Sequence, residues 1–578
     1  MSDEDDFRIR PGRIRSSRSQ RARPFVAQAL AAAQKAGGRV SRGGRIVSPG
    51  ASRFGRGRTA AVRANRLITR RTRLCTVKVR VVRRTAQATL PRHLGYLSRD
   101  GVTRDGEKAR MFDPHTDNAD IKDFAERSED DRHHFRLIVS PEDAADMTDL
   151  QRFTRDFMAQ VQNDLGTELD WIAVDHWNTG NPHVHIILRG RADDGKDLVI
   201  SRDYIREGLR DRAQDLITRE LGPRHDHEIR RSLTRQVEAE RWTALDRQLV
   251  RDAGKSGIID IAPGIDGVRD DYLPQKVGRL RHLERLGLAD RVGQAQWRIR
   301  PEAETVLRDL GERGDIIKRI HRALSGQGID RGVADYVFAS EATDTPILGR
   351  LVERGHDDEL KGTAYAVIDG VDGRTRHIRL PSFDAAGDSA PGSIVELRSY
   401  EDAKGIRRVA LAVRSDLDIR AQVTASGATW LDRQAVSRDP VALSEAGFGA
   451  EVRQAVKRRA EHLIGEGLAQ RQGSRVVFAR RLLDRLRDRE VGALAEKLAT
   501  ETGLPFDRTA SGDHVAGTYR RRFALASGRF AMIDDGLGFK LVPWTPSLER
   551  HLDRHVSGVA RGDGGVDWSF GRKRGLGL

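Results

Sequence analysis

The first regular pattern along the chain is an alternation of apolar and polar residues that begins near Leu74, in the segment LCTVKVRVV. Alternation with β-branched residues is typical of a strand with one buried face. The same pattern predicts further strands at residues 133–140, 170–175 and 183–189, the last two joined as a hairpin by a turn at 178–181. Helical spacing predicts helices at residues 86–98, 141–165 and 201–221. Residues 72–224 are therefore predicted to form an α+β domain with a central, largely antiparallel sheet and flanking helices.

A motif occurs twice in the second half of the chain. Residues 283–293 and 463–473 share the pattern L-x-x-x-G-L-A-x-R-x-G, each after a basic amphipathic helix and before a predicted strand, at 296–299 and 475–478. A helix, a glycine stop and a small hairpin form the layout of a winged-helix module, and such modules often insert a helix into the DNA major groove. An ordinary helix-turn-hairpin that packs internally fits the pattern equally well.

Two β-rich segments accompany these repeats. Residues 345–415 are predicted to form a small β-barrel or sheet, and residues 515–543 a second β-rich piece. The predicted organisation is a disordered basic tail (1–71), the α+β domain (72–224), a helical connector (225–265), a winged-helix-like module (266–340), a small β domain (341–415), a second winged-helix-like module (416–490), an α+β C-terminal module (491–560) and a disordered basic tail (561–578).

Composition narrows the class of protein. The 578 residues are 38% hydrophobic and 32% charged, and no stretch approaches the roughly 18 apolar residues of a membrane helix, so no membrane insertion is expected. The acidic start MSDEDDF lacks the layout of a secretory signal, which favours a cytoplasmic location. The single cysteine, Cys75, excludes an internal disulfide framework and a thiolate zinc cage. Any metal must then be held by His, Asp or Glu.

The positive charge is concentrated at the N-terminal end. Residues 1–70 carry 17 Lys and Arg against 4 Asp and Glu, which leaves only +4 of the total +17 for the rest of the chain. This segment is rich in Arg, Gly and Ser, so we expect it to be disordered and to bind phosphates without regard to base sequence. A merely solubilising extension is the alternative.

The segment HWNTGNPHVH places three imidazoles around one tight turn. His183 and His185 occupy positions i and i+2 of a strand, so their side chains leave the same face. The turn folds His176 back towards them. Three histidine ligands leave open positions on a cation, as in catalytic metal sites. The alternative is three structural histidines with no ion.

A cation that polarises a phosphodiester still requires a nucleophile. Cys75 lies in a strand, and no G-x-S-x-G motif occurs. Tyr96 follows the first strand of the α+β domain, and Tyr204 lies on the helix after the histidine hairpin. These two phenols are the candidates.

The block HWNTGNPHVH resembles the three-histidine motif of conjugative relaxases, the HUH-type DNA-nicking enzymes, and HLGYLSRDG resembles their first motif. The similarity is to mobilisation relaxases related to the nuclease that nicks T-DNA borders, in the subgroup with a C-terminal region of the DUF3363 type. The resemblance implies an HUH relaxase domain at 72–224, with Tyr96 as nucleophile. It also implies His176, His183 and His185 as ligands of Mg²⁺ or Mn²⁺, although imidazoles would equally suit Zn²⁺, Ni²⁺ or Fe²⁺.

Five other residues are weaker candidates for orienting a ligand or contacting DNA. Related relaxases often carry an acidic residue where this chain has Asn178, and the adjacent Asp175 is a candidate for that role. Ser140 matches a position that contacts DNA in some relatives, and His134 and Arg99 are further DNA-contact candidates. Each is more often an ordinary surface residue.

The expected function is nicking and rejoining of one DNA strand at a plasmid or integrative-element transfer origin, through a 5′-phosphotyrosyl intermediate that initiates conjugation. The rivals are a three-histidine metallonuclease that uses water, and a DNA-binding or partitioning protein with structural histidines. Expected partners are single-stranded origin DNA, relaxosome accessory proteins and a type IV secretion coupling protein. The resemblance further implies export with the DNA into a recipient cell, for which the basic end near Trp568 is a candidate signal.

Overall fold

The computed structural model of the protein describes most of the chain from residue 71 onward. The described residues are 39–40, 46–47, 56, 71–83, 90, 94, 97, 110–177, 181–262, 271–339, 346–401, 405, 407–562 and 564–570. The chain divides into two compact units, one comprising residues 1–239 and 243–299 and the other residues 240–242 and 300–578. Several sheets and many helices occur together, which confirms the predicted α+β class. Among the described residues, no helix combines the length and apolar character needed to cross a membrane.

A four-stranded antiparallel sheet is the centre of the first unit. After two short paired strands, Arg39–Val40 (β1) and Ile46–Val47 (β2), its strands are β3 (Cys75–Arg83), β4 (His133–Pro141), β5 (Trp171–His176) and β6 (His183–Arg189). They lie in the order β3-β4-β6-β5, and β5 pairs with β6 as the predicted hairpin. The central strand β4 therefore joins β3 to the hairpin.

Helices cover both faces of this sheet. They are α1 (Ile121–Arg127), α2 (Leu150–Leu165) and α3 (Leu209–Leu221), the last preceded by a π-helical turn (Tyr204–Gly208). The second helix starts later than residue 141 because Pro141 ends β4 and the Asp149 carboxylate accepts hydrogen bonds from the amides of Gln151 (2.8 Å) and Arg152 (3.0 Å). It ends at Leu165, since Gly166 adopts a left-handed φ of 63°.

Alternation along β4 decides which side chains face which helices. Phe135, Leu137 and Val139 share a buried core with α2 and α3, and each contributes roughly 2 kcal/mol through burial. On the opposite face, apolar residues of β5 and β6 pack against Phe124 of α1 and against Leu94 and Leu97. Those two leucines have helical backbone, as predicted for residues 86–98.

The elements that follow α3 in the chain share a hydrophobic core of their own, separate from the core of the four-stranded sheet. They are α4 (Asp226–Val237), α5 (Ala244–Ala253), β7 (Ile259–Asp260), α6 (Leu273–Arg285), β8 (Ala289–Gly293) and β9 (Gln296–Ile299). Leu245 and Leu249 of α5, Leu280 of α6 and Trp297 of β9 are buried together. The predicted connector at 225–265 is thus part of this helical module rather than a link before it, because its apolar stripe packs on α6.

The second unit begins with a long helix and a six-stranded sheet. Its elements are α7 (Ala303–Gly326), β10 (Tyr336–Ala339), β11 (Ile347–Asp358), β12 (Thr363–Gly370), β13 (Thr375–Leu380), β14 (Ile394–Glu401) and β15 (Arg407–Ser415). The strand order is β10-β13-β12-β11-β14-β15, antiparallel except for the β10-β13 pair. The β-rich segment predicted at 341–415 therefore forms a sheet, which also includes β10.

A second group of helices with a hairpin follows this sheet. It comprises α8 (Ile419–Thr424), α9 (Trp430–Val436), α10 (Gly447–Gly465), β16 (Ala469–Gln472), β17 (Arg475–Phe478) and α11 (Leu482–Thr502). The hairpin pairs Ala469 with Phe478 at its open end. The repeated sequence motif thus adopts a helix followed by a hairpin in both places.

A five-stranded sheet ends the described chain. Its strands are β18 (His514–Leu525), β19 (Gly528–Asp534), β20 (Phe539–Pro543), β21 (His555–Ala560) and β22 (Val566–Ser569). The prediction of a disordered tail at 561–578 does not hold at β22, which pairs antiparallel with β21 and buries Val566 to 6% exposure. Residues 571–578 lie outside the described residues.

The N-terminal tail predicted at 1–71 is described only at a few positions. At one of them, Arg56, the prediction of disorder does not hold. Its amide donates to the Val199 carbonyl (2.7 Å), and its own carbonyl accepts from the amide of Ser201 (2.8 Å). Arg56 therefore forms an isolated parallel β-bridge with Ile200.

Candidate metal centre and cleavage site

Three imidazoles converge at one end of the β5-β6 hairpin. His176 is the last residue of β5, while His183 and His185 belong to β6. The His176 ring centroid lies 5.5 Å from that of His183 and 4.6 Å from that of His185, and the latter two are 4.9 Å apart. One ring nitrogen of each histidine lies within 4.8 Å of the others. The structure thus brings together the three histidines that the motif predicts as ligands.

The strand register explains this convergence. His176 pairs with His183, and Val174 pairs with His185. Paired residues in antiparallel strands project from the same face, as do residues i and i+2 of one strand. All three rings therefore project from the face opposite α2 and α3. His176 and His185 are 0% and 3% exposed, and His183 is partly buried.

Main-chain carbonyls orient two of the rings. The Leu97 carbonyl accepts a hydrogen bond from His176 Nε2 at 2.9 Å, and the Asn181 carbonyl accepts one from His183 Nδ1 at 2.9 Å. A carbonyl only accepts, so these contacts fix the proton on the ring nitrogen that faces it and leave the other nitrogen as a lone-pair donor. The neutral form of each ring is thereby prepared as a ligand.

The nitrogen geometry fits a bound cation. The Nε2 atoms of His183 and His185 are 3.1 Å apart. Two nitrogens each about 2.1 Å from one ion would lie about 3.0 Å apart at a right angle and about 3.4 Å apart at a tetrahedral angle. Three neutral imidazoles would hold a divalent ion and leave positions open for substrate. Nitrogen ligands suit Zn²⁺, Ni²⁺ and Fe²⁺, whereas Mg²⁺ prefers oxygen, so this ligand set does not select one metal.

The predicted nucleophile has a described neighbour at this site. Tyr96 lies outside the described residues, as do Arg99 and Asn178. Leu97, which follows Tyr96 in the chain, is fully buried and provides the carbonyl that contacts His176. This contact links the first motif of the sequence to the histidine motif.

The alternative nucleophile, Tyr204, is placed elsewhere. Its side chain is 0% exposed in the core with α2 and α3, on the face of the sheet opposite the histidines. Its hydroxyl donates to Asp164 Oδ2 at 2.8 Å. Burial, with the nearby Asp164 charge, raises the pKa of Tyr204 far above its usual range. A phenol held protonated and away from the imidazoles cannot attack a phosphodiester there.

Asp175 is not brought to the histidines. It pairs with Val184, so its side chain projects from the face opposite that of His176. Its carboxylate accepts hydrogen bonds from Gln151 Nε2 (3.1 Å) and Trp177 Nε1 (2.6 Å). The role of orienting a ligand, predicted for Asp175, falls in this structure to the carbonyls of Leu97 and Asn181.

The remaining described candidates differ in position. Ser140 lies beside the site, where its hydroxyl donates to the carbonyl of Pro182 at 3.4 Å. His134 pairs with Arg189, whereas His185 pairs with Ile138. His134 therefore lies four residues along β4 from Ile138, the residue opposite His185, which is a distance of about 13 Å at roughly 3.3 Å per residue.

A basic row on β3 and β4 was missed by the sequence reasoning. Lys78 pairs with Ile138, and Arg80 pairs with Arg136, so the three basic residues share the histidine face. Burial, together with the charge of Arg80, lowers the pKa of Arg136 to about 10. Like charges opposite each other in a sheet repel. The signal was present in the alternation T-V-K-V-R, whose polar positions include two cations.

Burial also keeps His134 neutral. Burial first, and then the charge of Arg136, lowers the pKa of His134 to about 4. The neutral ring accepts a hydrogen bond from Arg136 Nε at 3.2 Å. His134 therefore accepts a hydrogen bond from Arg136, one residue of the basic row, and carries no charge near neutral pH.

Comparison with known protein families agrees with this site. Residues 104–220 match the model of the MobA/VirD2-like relaxase nuclease domain, a range that contains all three histidines and begins after Tyr96. The domain is thus of the relaxase class, which makes the protein a DNA nuclease. Residues 276–402 and 397–577 match a second model, described as a protein of unknown function (DUF3363). These ranges cover more than half of the 578 residues, and the chain belongs to the DUF3363 family. Searches of curated proteins and of solved structures returned no significant match.

Proposed function

We propose that this protein nicks and rejoins one DNA strand at a transfer origin, with Tyr96 as nucleophile. The observation that carries the proposal is the hydrogen bond between His176 and the Leu97 carbonyl, 2.9 Å long. Because Tyr96 is bonded directly to Leu97, this contact supports a nucleophile beside the three imidazoles. It joins Leu97 of the first motif to His176 of the histidine motif, 79 positions apart in the chain.

The proposed reaction exchanges one phosphoester for another. Tyr96 Oη attacks the phosphorus, an ester bond to Tyr96 forms, and the bond from phosphorus to the 3′ oxygen breaks. The phenolic proton is lost and the leaving oxygen gains a proton, which gives a 5′-phosphotyrosyl link and a free 3′-OH. Since the bond formed and the bond broken are of the same type, the reverse reaction can rejoin the strand without ATP.

The residues of this chain have separate roles in that reaction. His176, His183 and His185 would hold a divalent ion, Mg²⁺, Mn²⁺ or Zn²⁺, whose chemistry would be to withdraw charge from a non-bridging phosphate oxygen. The carbonyls of Leu97 and Asn181 hold two of the rings in the ligand tautomer.

We further propose that the basic row guides the DNA strand to this site. Lys78, Arg80 and Arg136 lie on the histidine face, on β4, which pairs with the hairpin, and on β3, which pairs with β4. A phosphate between Arg80 and Arg136 would relieve their mutual repulsion and gain charge-assisted hydrogen bonds. The basic row would bind the phosphates of the DNA strand. It would therefore contribute affinity and position the DNA, but it would not distinguish one base from another.

The test is covalent capture with Tyr96→Phe protein. Full-length protein is incubated with origin oligonucleotide and divalent ion, and the protein–DNA adduct is separated on a denaturing gel and mapped by mass spectrometry. We expect no adduct with Tyr96→Phe, and normal adduct with the matched control Tyr400→Phe, whose phenol is 52% exposed on β14. Adduct and nicking retained in Tyr96→Phe would end the assignment.

The same experiment separates the rival functions. A metallonuclease that uses water would cleave the oligonucleotide but leave no protein attached after phenol extraction. A DNA-binding or partitioning protein would bind without cleaving. Accessory proteins of a relaxosome, a type IV coupling protein and export with DNA remain predictions from family resemblance.

A further inference from the structure

Sequence similarity between the two helical modules extends upstream of the repeated motif. Residues 236–248 read QVEAERWTALDRQ and residues 422–434 read QVTASGATWLDRQ, which gives eight identities in thirteen positions. The first segment joins α4 to α5 and the second joins α8 to α9. The repeat therefore includes the helices before the motif as well as the helix and hairpin within it.

Both segments build the same buried ion pair. Arg279 contacts Asp246 at 2.7 and 2.9 Å, and Arg459 contacts Asp432 at 2.9 and 2.9 Å. All four side chains are at most 1% exposed. Each acidic residue also accepts from the amide and hydroxyl of the threonine three positions earlier, at 2.7 to 2.9 Å.

The remaining donors of each arginine are satisfied in the same way. Nη1 of Arg279 donates to the carbonyls of Val237 (3.1 Å) and Ala239 (2.6 Å). In the second module, Nη1 of Arg459 donates to Val423 (3.2 Å) and Ala425 (2.7 Å), at the matching positions of the repeat. A buried ion pair is costly to desolvate and needs all its partners. Its recurrence with the same partners indicates two copies of one module, residues 226–299 and 419–478, called here the repeat modules.

The repeat modules expose basic side chains on their last helix and hairpin. In the first, Arg281 and Arg285 of α6 and Arg298 of β9 are exposed. In the second, Lys457 of α10 and Arg475 of β17 occupy the same two elements and are exposed. Arg291 and Arg471, at equivalent positions of the motif, are exposed in both. A helix and a hairpin with exposed basic side chains suit the phosphates of a DNA duplex.

The aromatic residues of these modules argue against single-stranded DNA as the ligand. Trp297, Trp430 and Phe448 are buried, at 3%, 4% and 0% exposure. None of the other three aromatic residues of the modules is classed as exposed, because all are partly buried: Trp242, Tyr272 and Phe478. Proteins that bind single strands without sequence preference commonly stack the bases on accessible aromatic rings. Buried aromatics and exposed cations favour a ligand recognised through its backbone.

We infer that each repeat module binds double-stranded DNA through the basic residues of its last helix and hairpin. This activity goes beyond the proposed cleavage, since it requires neither Tyr96 nor the histidines. It would hold the protein on duplex DNA while the three-histidine site acts on a single strand. The N-terminal tail is unchanged in every variant compared below, so any DNA affinity that it adds is the same in all of them.

The test measures duplex binding by full-length protein with the module cations removed. The variant carries Arg281→Gln, Arg298→Gln, Lys457→Gln and Arg475→Gln, all at exposed positions. The matched control removes four exposed cations outside the modules, by Arg313→Gln, Lys318→Gln, Arg322→Gln and Lys497→Gln. Fluorescence anisotropy with a labelled random-sequence duplex gives Kd at several salt concentrations for both proteins.

Each phosphate contact contributes about 0.9 to the slope of log K against log salt. We therefore expect the module variant to lower that slope by about 2 to 4 and to raise Kd at least about tenfold near 0.15 M salt, while the control stays within about twofold of wild type. Equal behaviour of variant and control would overturn the inference. So would a loss that affects a single-stranded probe as strongly as the duplex.

Two further measurements keep the outcome decisive. Variants that alter one module alone should each give about half of the slope change, which a global folding defect would not produce. Adduct formation with a short single-stranded origin oligonucleotide should be unchanged in the four-residue variant. If the four-residue variant loses duplex binding but still forms the adduct, the inference is supported. If wild-type protein binds the duplex normally but forms no adduct, that result counts only against the proposed cleavage.

Discussion

Replacing Arg136 by methionine should stabilise the central sheet and weaken binding of single-stranded DNA at the same time. Arg136 lies opposite Arg80 on β4, and its pKa is lowered to about 10 by burial and by that neighbour. A basic group with a lowered pKa is one whose charged form is disfavoured by folding. Removal of the charge should therefore favour the folded state.

The magnitude follows from the same pKa. A value of about 10 for Arg136 lies two to three pH units below that of a solvated guanidinium, which corresponds to about 3 kcal/mol as an upper bound. Methionine keeps much of the apolar stem but loses the hydrogen bond from Nε to His134, 3.2 Å long, which contributes about 1 kcal/mol. The expected net gain in the free energy of local unfolding is about 1 to 2 kcal/mol.

Hydrogen exchange of the β4 amides measures that local stability, and anisotropy with a single-stranded oligonucleotide measures binding. Arg132→Met is the control, because Arg132 precedes β4 and is 81% exposed. We expect slower β4 exchange and weaker binding only in Arg136→Met. Faster β4 exchange would refute the argument that repulsion between Arg136 and Arg80 destabilises the sheet, and an unchanged affinity for the oligonucleotide would refute the role of the basic row as an anion site.

Four further predictions concern other parts of the molecule. His183→Ala should abolish metal-dependent nicking while leaving most of the duplex affinity, checked by titrating Mn²⁺ against nicking and by anisotropy; nicking at the wild-type rate would contradict the ligand assignment. Tyr204→Phe should keep nicking within about threefold of wild type and lower the free energy of unfolding by about 1 to 3 kcal/mol, because it removes the bond to a buried carboxylate. Asp432→Ala should cost about 3 to 5 kcal/mol in urea unfolding, since Arg459 is left charged at 1% exposure; a loss below about 1 kcal/mol would refute that argument. Burial lowers the pKa of His377 to about 4, so its contribution to stability is complete above about pH 6.5 and is lost as the pH falls towards 4, measurable as faster exchange of the β13 amides in acid.

Local pattern was enough to predict several elements of this fold. The alternation in LCTVKVRVV and HHFRLIVS predicted β3 and β4, and the H-x-H spacing placed His183 and His185 on one face of a strand. The repeated motif predicted a helix and hairpin in two places, and both form. Each of these features depends on residues close together in the chain, whose periodicity is visible in the sequence.

The places where prediction failed depend on distant partners. Val566 was assigned to a disordered tail, yet β21 supplies the strand that pairs its segment. Asp175 and His176 are neighbours in sequence, but β6 and α2 give them opposite faces and different hydrogen-bond partners. In the upstream half of the repeat, Asp246 and Asp432 are paired with arginines that lie 33 and 27 positions further along the chain, and these partners are not evident from the local pattern.

The sequence by itself determined the α+β class, the hairpin that carries the three histidines and the repeated helix and hairpin, because strand alternation, helix spacing and tight turns act over a few residues. Only the tertiary structure decided that Tyr204 is buried, that Leu97 contacts His176 and that Arg80 lies opposite Arg136. Burial and charge environment are set by residues brought together from far apart in the chain, and they control which side chains are accessible and in which protonation state.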